Sequence, residues 1–228
     1  MVPTTSQLFT AGDASNPNLE AEEAENYEIG MRSSFLDNKL GLDLAIYTMD
    51  VTNKIVSSGT SSWSSDPYIN AGETSQDGLE ATAVIMPLDM VRLTLAYSFA
   101  ESKYVVYSLA QPEYNGNDMP MSPKHRLNAR LAVMPIKGLE VELEMDEVSS
   151  QYHDTANEFE YSRPTLFHLR TTYNKEQYSA WLHIKNLTDQ TYATRIGGSG
   201  TVEDLSFHPG EPLSVFAGLS YKFGGSSN

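Results

Sequence analysis

The stretch Leu213-Ser-Val-Phe-Ala-Gly-Leu-Ser-Tyr-Lys-Phe223 carries an apolar residue at every second position. Small or polar residues fill most positions between them, with Phe216 as the exception. A period of two predicts a β-strand with one apolar face. A tilted strand of about 9–11 residues is long enough to cross the hydrocarbon layer of a bilayer. An edge strand of a soluble β-sandwich has the same local pattern, so the rest of the chain decides between the two.

Composition excludes several classes of protein. The 228-residue chain has a formal net charge of −15, which leaves no basic stripe to neutralise nucleic-acid phosphates. It contains no cysteine, which excludes a disulfide framework or a zinc–thiolate site. No apolar run is long enough to predict a transmembrane helix. A hydrophobic fraction of 40% still permits a barrel, because only every second residue of a barrel strand faces lipid.

Nine strands are predicted along the chain, and short and long connections alternate between them. The strands are 25–35, 40–56, 68–86, 91–107, 124–134, 139–149, 163–173, 178–189 and 212–223. The short connections are 36–39, 87–90, 135–138 and 174–177, and the long polar ones are 57–67, 108–123, 150–162 and 190–211. This alternation is typical of an outer-membrane barrel with tight periplasmic turns and long outer loops. A soluble sandwich would have mostly short turns at both ends.

The stretch Leu139-Glu-Val-Glu-Leu-Glu-Met-Asp146 separates its faces most sharply, with four apolar residues on one side and four carboxylates on the other. A charge facing lipid at mid-bilayer costs roughly 2–4 kcal/mol for a basic residue and less for an acid. The carboxylates are therefore predicted to face a water-filled lumen. Alternation in this and the neighbouring strands assigns to the lumen wall Arg92, Arg130, Glu140, Glu142, Glu144, Asp146 and Arg170. A solvated wall is the ordinary interpretation of the carboxylate row. Its functional alternatives are a counter-charge for Arg130 across the hairpin and contacts to a plug domain that fills the barrel.

Several segments resemble known outer-membrane proteins. Gly218, Tyr221 and Phe223 form a Gly-x-x-Tyr-x-Phe pattern that resembles the closing strand of bacterial barrels, which is the signal read by the barrel assembly machinery. The segment Asn16-Pro-Asn-Leu-Glu-Ala-Glu22, followed by Tyr27-Glu-Ile-Gly30, resembles TonB-dependent receptors, where it ends an extracellular loop. That location agrees with the strand count: if the last strand ends at the periplasm, residues 1–23 lie outside.

Further matches to the same family cover most of residues 16–223. They are Met121-Ser-Pro-Lys-His-Arg-Leu-Asn128, Trp181-Leu-His-Ile-Lys-Asn-Leu-Thr-Asp-Gln-Thr-Tyr192 and Pro209-Gly-Glu-Pro212. The segment Tyr68-Ile-Asn-Ala-Gly-Glu-Thr74, with Gly78-Leu-Glu80, resembles the siderophore-receptor branch.

The resemblance implies an all-β chain that forms the last nine strands of a 22-stranded antiparallel barrel in the outer membrane of a Gram-negative bacterium. The whole protein would import a scarce nutrient, most often a ferric siderophore, with energy passed through TonB. We expect an extracellular segment at 1–23, a partial barrel at 24–223 and a tail at 224–228. We expect the chain to lack four parts of the whole protein: the secretory signal sequence, the TonB-binding segment, the plug domain and the earlier strands. Nine strands alone leave open edges, so we expect no transport by the chain alone.

No catalytic constellation or cofactor site is predicted. The five histidines are scattered, and no nucleophile motif such as G-x-S-x-G occurs. His168 and His183 lie on strands joined by the turn at 174–177, where a simple register places them opposite each other. Two facing imidazoles suggest a metal site, and the simpler interpretation is that they are polar residues of the wall. The resemblance assigns ligand contacts to the outer loops, which hold Trp63, Tyr68, Tyr107, Tyr114, Tyr152, Arg195 and His208. These side chains can stack on planar chelates or simply stiffen the loops.

Two alternatives remain at this stage. One is a small complete barrel with a structural or adhesive role, in which residues 3–10 form a tenth strand. The other is a soluble β-sheet binding module.

Overall fold

The computed structural model describes residues 1–9, 16–57, 68–107, 112–197 and 205–223. Within them lie a short α-helix, Thr5–Leu8, a 3₁₀ turn, Pro112–Tyr114, and thirteen strands. The strands are β1 Glu23–Phe35, β2 Leu40–Ser57, β3 Tyr68–Leu88, β4 Val91–Val106, β5 His125–Ile136, β6 Leu139–Val148, β7 Gln151–Tyr152, β8 Glu160–Tyr161, β9 Leu166–Lys175, β10 Tyr178–Lys185, β11 Ala193–Gly197, β12 Ser206–Pro209 and β13 Ser214–Tyr221.

Nine of these described strands form one antiparallel sheet in the order β1-β2-β3-β4-β5-β6-β9-β10-β13. Each strand pairs with its neighbour along the chain, apart from two small hairpins, β7–β8 and β11–β12, which lie in the connections. The sheet is open, with β1 and β13 at its edges. The nine predicted strands and the alternation of short and long connections are confirmed. No helix in the described part of the chain combines the length and apolar character needed to cross a membrane.

The strand ends differ from the prediction by a few residues. β3 and β5 run on to Leu88 and Ile136, because the turns after them are only Asp89-Met90 and Lys137-Gly138. β10 stops at Lys185, before the predicted residue 189, because the chain turns at Asn186. β13 stops at Tyr221, because its partner strand β10 begins at Tyr178, directly opposite.

The first residues do not supply a tenth strand. Thr5–Leu8 is helical and begins with a capping box, in which Thr4 and Gln7 bond to each other's backbone. The N-terminal ammonium of Met1 donates to the carbonyl of Glu22 at 2.6 Å, and the Glu22 amide donates back to the Met1 carbonyl at 2.8 Å. Met1 is therefore hydrogen-bonded to the residue just before β1. Because Thr5–Leu8 is helical, the small ten-stranded barrel would lack its tenth strand.

Register places the apolar residues of neighbouring strands in continuous rows on one face. One row contains Leu93, Leu131, Leu143 and Leu169, each paired with the next across the ladder. These side chains are not covered: Leu131 is 42% exposed and Leu143 is 40% exposed. An apolar face of this extent is stable only against another apolar phase.

The opposite face carries the charges. Arg92, Ala132, Glu142 and Arg170 form one row across β4, β5, β6 and β9. Among the described residues, the most buried apolar side chains of the sheet include Ala132, 1% exposed, and Leu166, 2% exposed, and both belong to this polar face. The distribution is therefore the reverse of that in a soluble sandwich, where apolar rows fill the interior.

The turn glycine Gly138 gives a test of how closely the short turns pack. Gly116 and Gly138 both have a positive φ, +85° and +88°. A Cβ on Gly116 would meet no atom within 4 Å, whereas one on Gly138 would lie 2.0 Å from the Asn174 carbonyl oxygen. Gly116→Ala should therefore cost only the left-handed backbone penalty, about 1–2 kcal/mol. Gly138→Ala should cost clearly more, because the new methyl group would collide with Asn174. The free energy of unfolding would be measured by denaturant unfolding of the protein in a bilayer. Equal losses for the two variants would show that the turn at Gly138 does not pack against Asn174.

A second test concerns the two faces of β6. Glu142 and Leu143 are adjacent, and their side chains point to opposite faces. A cysteine at 143 should react with a lipid-confined probe, and a cysteine at 142 only with a water-soluble one. If both positions react with the aqueous reagent, the apolar face does not meet lipid.

Candidate functional site

A ladder of ion pairs runs along the polar face. Each carboxylate of β6 that was predicted to face the lumen has a cationic partner. Arg92 binds Glu140 at 2.8 Å, Arg170 binds Glu142 at 3.5 Å and Glu144 at 3.1 Å, and Arg163 binds Asp146 at 2.8 Å. Partly exposed pairs of this kind contribute about 0–1 kcal/mol each. The ladder therefore orients side chains more than it stabilises the sheet.

Arg130 is not the counter-charge of this row. It pairs with Glu144 in the strand register, but among the described residues it forms no ion pair with that carboxylate. Glu144 instead forms an ion pair with Arg170 at 3.1 Å and accepts a hydrogen bond from the side-chain amide of Asn128 at 2.8 Å. The Nε atom of Arg130 is buried without a hydrogen-bond partner in the described structure.

The two strand histidines are not opposite each other. The turn between β9 and β10 places Arg170 opposite His183, so His168 lies two residues away from the position opposite His183. Nδ1 of His168 accepts a hydrogen bond from the Asn186 amide at 3.0 Å. The described residues contain no cluster of three or more potential metal ligands. His168 therefore serves as a polar wall residue that holds the end of β10.

The segment before β1 crosses the far ends of β2 and β3. The Asn70 side chain accepts from the Glu20 amide at 2.8 Å and donates to the Glu20 carbonyl at 3.0 Å, so it binds that backbone as another strand would. Asn16 donates to the carbonyl of Tyr68 at 3.0 Å. Both asparagines come from segments that the family resemblance singled out. Their role here is to fix one segment on the other.

An aromatic cluster stands at the end of β4. Tyr107 packs edge-on against Tyr104 at 5.0 Å and against Tyr114 at 5.3 Å, measured between ring centroids. Burial raises the pKa of the Tyr107 hydroxyl. Two of the predicted loop aromatics, Tyr107 and Tyr114, are thus brought together, and the sequence pattern had not indicated Tyr104 as their third member.

Two of the long connections form one unit. The Asn157 side chain accepts from the Asp118 amide at 2.7 Å and donates to the Asp118 carbonyl at 2.9 Å. The Asn117 side chain donates to the Thr155 carbonyl at 2.8 Å. Lys124 binds Asp118 at 2.9 Å, and the hydrogen bond to this carboxylate raises the pKa of the lysine. The amide of Met121 donates to the carbonyl of Tyr152, which fixes the β7–β8 hairpin as well.

The last long connection is attached to this unit through Tyr161. Its hydroxyl oxygen accepts from the Ala193 amide at 2.7 Å. The β11–β12 hairpin that follows pairs Arg195 directly with His208, so two predicted loop residues are neighbours. Tyr68 lies at the start of β3 and Tyr152 in β7. Trp63 falls outside the described residues.

A cavity of about 230 Å³ lies where these connections meet the polar face. Its lining includes Arg126, Gln151, Tyr161, Arg163, Tyr192 and Thr194. None of these residues was predicted from the sequence as a site residue. Arg126 shares its strand face with Asn128 and Arg130, so alternation alone could have found it. Arg163 and the two tyrosines lie outside regular alternation, and only the tertiary structure brings them together.

A larger groove, of about 570 Å³, lies near the edge strand β1. It is lined mainly by side chains of the apolar face, among them Tyr27, Ile29, Ile46, Leu79 and Phe99. Its surface offers few polar partners, so we assign it to the exposed apolar face and not to recognition of a polar ligand.

The closing strand leaves space for an indole ring. Gly218 pairs with Trp181, and a Cβ at 218 would lie 2.4 Å from the indole Nε1. Tyr221 packs against Tyr178 and against Phe223, which is 90% exposed. Gly218 therefore has a packing reason to be glycine, which does not depend on any role as an assembly signal.

The comparison with known families decides the identity of this fold. The family described as TonB dependent receptor-like, beta-barrel matches residues 1–187. The chain belongs to this family.

Individual members of the family align with most of the chain. The probable TonB-dependent siderophore receptor PiuA of Acinetobacter baumannii is 27% identical over 192 residues, which are 80% of this chain and 25% of PiuA. The ferrioxamine B receptor of Salmonella typhimurium is 25% identical over 215 residues, 90% of this chain and 29% of that receptor. The chain thus spans about a quarter of the length of these relatives.

Solved structures agree on the fold. The crystal structure of the siderophore receptor PiuA from Acinetobacter baumannii superposes with a TM-score of 0.71 at 26% identity, covering 87% of this chain and 28% of PiuA. The unliganded ferric citrate transporter FecA superposes with a TM-score of 0.70 at 22% identity, covering 89% of this chain and 31% of FecA. The second comparison supports the fold alone. Both relatives are named as a receptor or a transporter, not as enzymes.

The bond between Tyr161 and Ala193 in this TonB-dependent receptor barrel is open to a direct test. Ala193 is 7% exposed, so Tyr161→Phe would leave its amide buried without an acceptor, at a cost of about 1–3 kcal/mol. Hydrogen exchange at 193–197 should become faster. Tyr152→Phe is the control, because the Tyr152 hydroxyl has no hydrogen bond within the described structure. Unchanged exchange in Tyr161→Phe would mean that this bond does not hold the β11–β12 hairpin.

Proposed function

We propose that this chain is the C-terminal barrel portion of an outer-membrane receptor that imports ferric siderophores, driven through TonB. The observation that carries the proposal is the 27% identity to the probable siderophore receptor PiuA over 80% of this chain. Other related proteins include a ferrioxamine B receptor and an Escherichia coli ferrichrome outer membrane transporter, 23% identical over 75% of this chain. On this proposal the protein is a transporter and requires no catalytic group.

In this proposal the apolar face meets lipid and the ion-pair ladder faces the lumen. Support comes from the exposed leucine row on one face and from the four paired carboxylates on the other. The open edges at β1 and β13 would be paired by the remaining strands of the barrel, since unpaired edges are not viable in lipid. The charged wall would contact the plug domain of the full-length receptor.

The long connections would be extracellular and the short turns periplasmic. Segment 1–23 would then lie outside the cell, next to the ends of β2 and β3 where Asn70 binds Glu20. Ligand contacts are assigned to the outer residues Trp63, Tyr68, Tyr107, Tyr114, Tyr152, Arg195 and His208. Gly218, Tyr221 and Phe223 would carry the assembly signal.

Transport can be tested in cells that lack the gene and carry the full-length protein on a plasmid. Uptake of radioactive iron would be measured for a ferric hydroxamate, a ferric catecholate and a ferric carboxylate chelate. We expect at least one chelate to enter only when both the protein and TonB are present. If no chelate is taken up while the protein is present in the outer membrane, ferric siderophore import is refuted. If the protein is instead recovered in solution without detergent, the alternative of a soluble β-sheet binding module is favoured.

Loop contacts can be tested in the same cells. Arg195 is exposed and pairs with His208, so Arg195→Ala removes one side chain of the β11–β12 hairpin without altering the sheet. It should weaken binding of the transported chelate. Lys137→Ala is the control, because Lys137 lies in a short turn at the opposite end of the strands. Equal binding by both variants would remove Arg195 from the ligand site.

A further inference from the structure

The cavity of about 230 Å³ beneath the outer connections has an unusual charge for this protein. The chain has 30 acidic and 15 basic residues, yet the residues that line the cavity include two arginines and no carboxylate. The polar face around it is otherwise rich in acidic groups. A positive cavity in an acidic protein is a local feature that selects anions.

The two arginines differ in how far their charge is neutralised. Arg163 is partly buried and donates from Nη2 to Asp146 at 2.8 Å, while its Nε has no hydrogen-bond partner within the described structure. Arg126 is exposed, and among the described residues its guanidinium forms no ion pair. On the same face, Arg92 and Arg170 have carboxylate partners, and Arg130, which forms no ion pair among the described residues, does not line the cavity. Arg126 is therefore the guanidinium of this cavity that is available to a ligand.

The remaining lining restricts the shape of an occupant. Tyr161 is held by the Ala193 amide, and the Tyr192 ring lies 6.0 Å from the Arg163 guanidinium carbon. These are the two aromatic rings of the cavity wall, and Gln151 and Thr194 supply polar side chains. Pockets that enclose a drug-sized ligand measure roughly 300–1,000 Å³. A space of about 230 Å³ suits one planar arm of a larger molecule.

A narrow crevice continues from the cavity towards the β11–β12 hairpin. It shares Gln151, Tyr161, Ala193 and Thr194 with the cavity and adds Arg195 and His153. A larger molecule with one arm in the cavity would thus have a further guanidinium near its body.

We infer that this cavity is a subsite for a carboxylate-bearing arm of the ligand, with Arg126 as the group that binds the carboxylate. The guanidinium fork matches the two oxygens of a carboxylate. The link to an iron chelate rests on the proposed function, whereas the anion site itself does not.

The anion site can be tested without iron, using benzoate as a planar carboxylate probe and benzamide as its uncharged counterpart. The purified full-length protein would be treated with phenylglyoxal, and modification of each arginine followed by mass spectrometry. Saturating benzoate should slow modification of Arg126 several-fold, and benzamide should not. Arg32 is the internal control, because it lies on β1 and does not line the cavity, so benzoate and benzamide should leave its rate of modification unchanged.

Two results would overturn the site. One is equal protection of Arg126 by benzamide, or no protection by benzoate. The other is an Arg126 that does not react even without benzoate, which would mean that a carboxylate of the protein itself already occupies the cavity.

Variants then connect the site to transport. A hydrogen bond to a charged group contributes about 1.5–3 kcal/mol, so Arg126→Gln should weaken binding of the transported chelate about ten- to hundred-fold. Arg126→Lys keeps the charge without the fork and should lose less. Arg92→Gln is the matched control, because Arg92 lies on the same face but does not line the cavity.

The outcomes separate this inference from the proposed function. If a ferric chelate is imported and Arg126→Gln binds it as tightly as the unmodified protein, the subsite is refuted and siderophore import stands. If the imported chelate contains no carboxylate, the inference that the cavity binds a carboxylate-bearing arm of the ligand is refuted. If no chelate is imported but benzoate protects Arg126, the anion site stands and siderophore import falls.

Discussion

The register of the antiparallel ladder is the constraint on which the rest of this structure depends. Because side chains alternate with a period of two, a slip of one residue would turn a strand's whole apolar set to the other face. The register is unbroken through the middle of the sheet, and irregularities occur near strand ends, as between Ile85 and Leu88 and between Val133 and Ile136. The leucine row and the ion-pair ladder lie on opposite faces for this reason alone. Both the apolar exterior and the charged wall are therefore consequences of strand pairing, not of a packed core.

Outside the sheet, order comes from side-chain amides that bind the backbone of distant segments. Asn70 binds Glu20, Asn157 binds Asp118, and Asn186, which is 1% exposed, donates to the carbonyls of Gln190 and Glu211. A carboxamide carries one acceptor and two donors, so it can satisfy the peptide groups that a loop would otherwise leave unpaired. Loops without a large apolar core can thus hold a defined shape. This is what allows the cavity between them to persist.

The distribution of charge gives the cavity its chemistry. Along the ladder, Arg92, Arg163 and Arg170 are each opposed by a carboxylate of β6. Arg126 lies further towards the long connections, where β6 and its row of carboxylates end, and its partner in the register is Val148. Asp146, the diagonal neighbour of Arg126 in the ladder, is paired with Arg163, so the Arg126 guanidinium has no ion pair among the described residues.

The sequence alone determined the nine strands, the alternation of short and long connections and the two faces, because each depends on local periodicity and turn residues. The strand Leu139-Glu-Val-Glu-Leu-Glu-Met-Asp146 specified its faces without any knowledge of its neighbours. The partners of those carboxylates required the tertiary structure: Arg130 was expected and Arg170 and Arg163 were found, because the choice depends on side-chain reach across two ladders. The offset of His168 from His183 arose because the turn between β9 and β10 contains only residues 176–177, two fewer than the predicted turn at 174–177. The cavity joins residues from β5, β8 and the segments before β9 and β11, and no local pattern can bring such distant segments together.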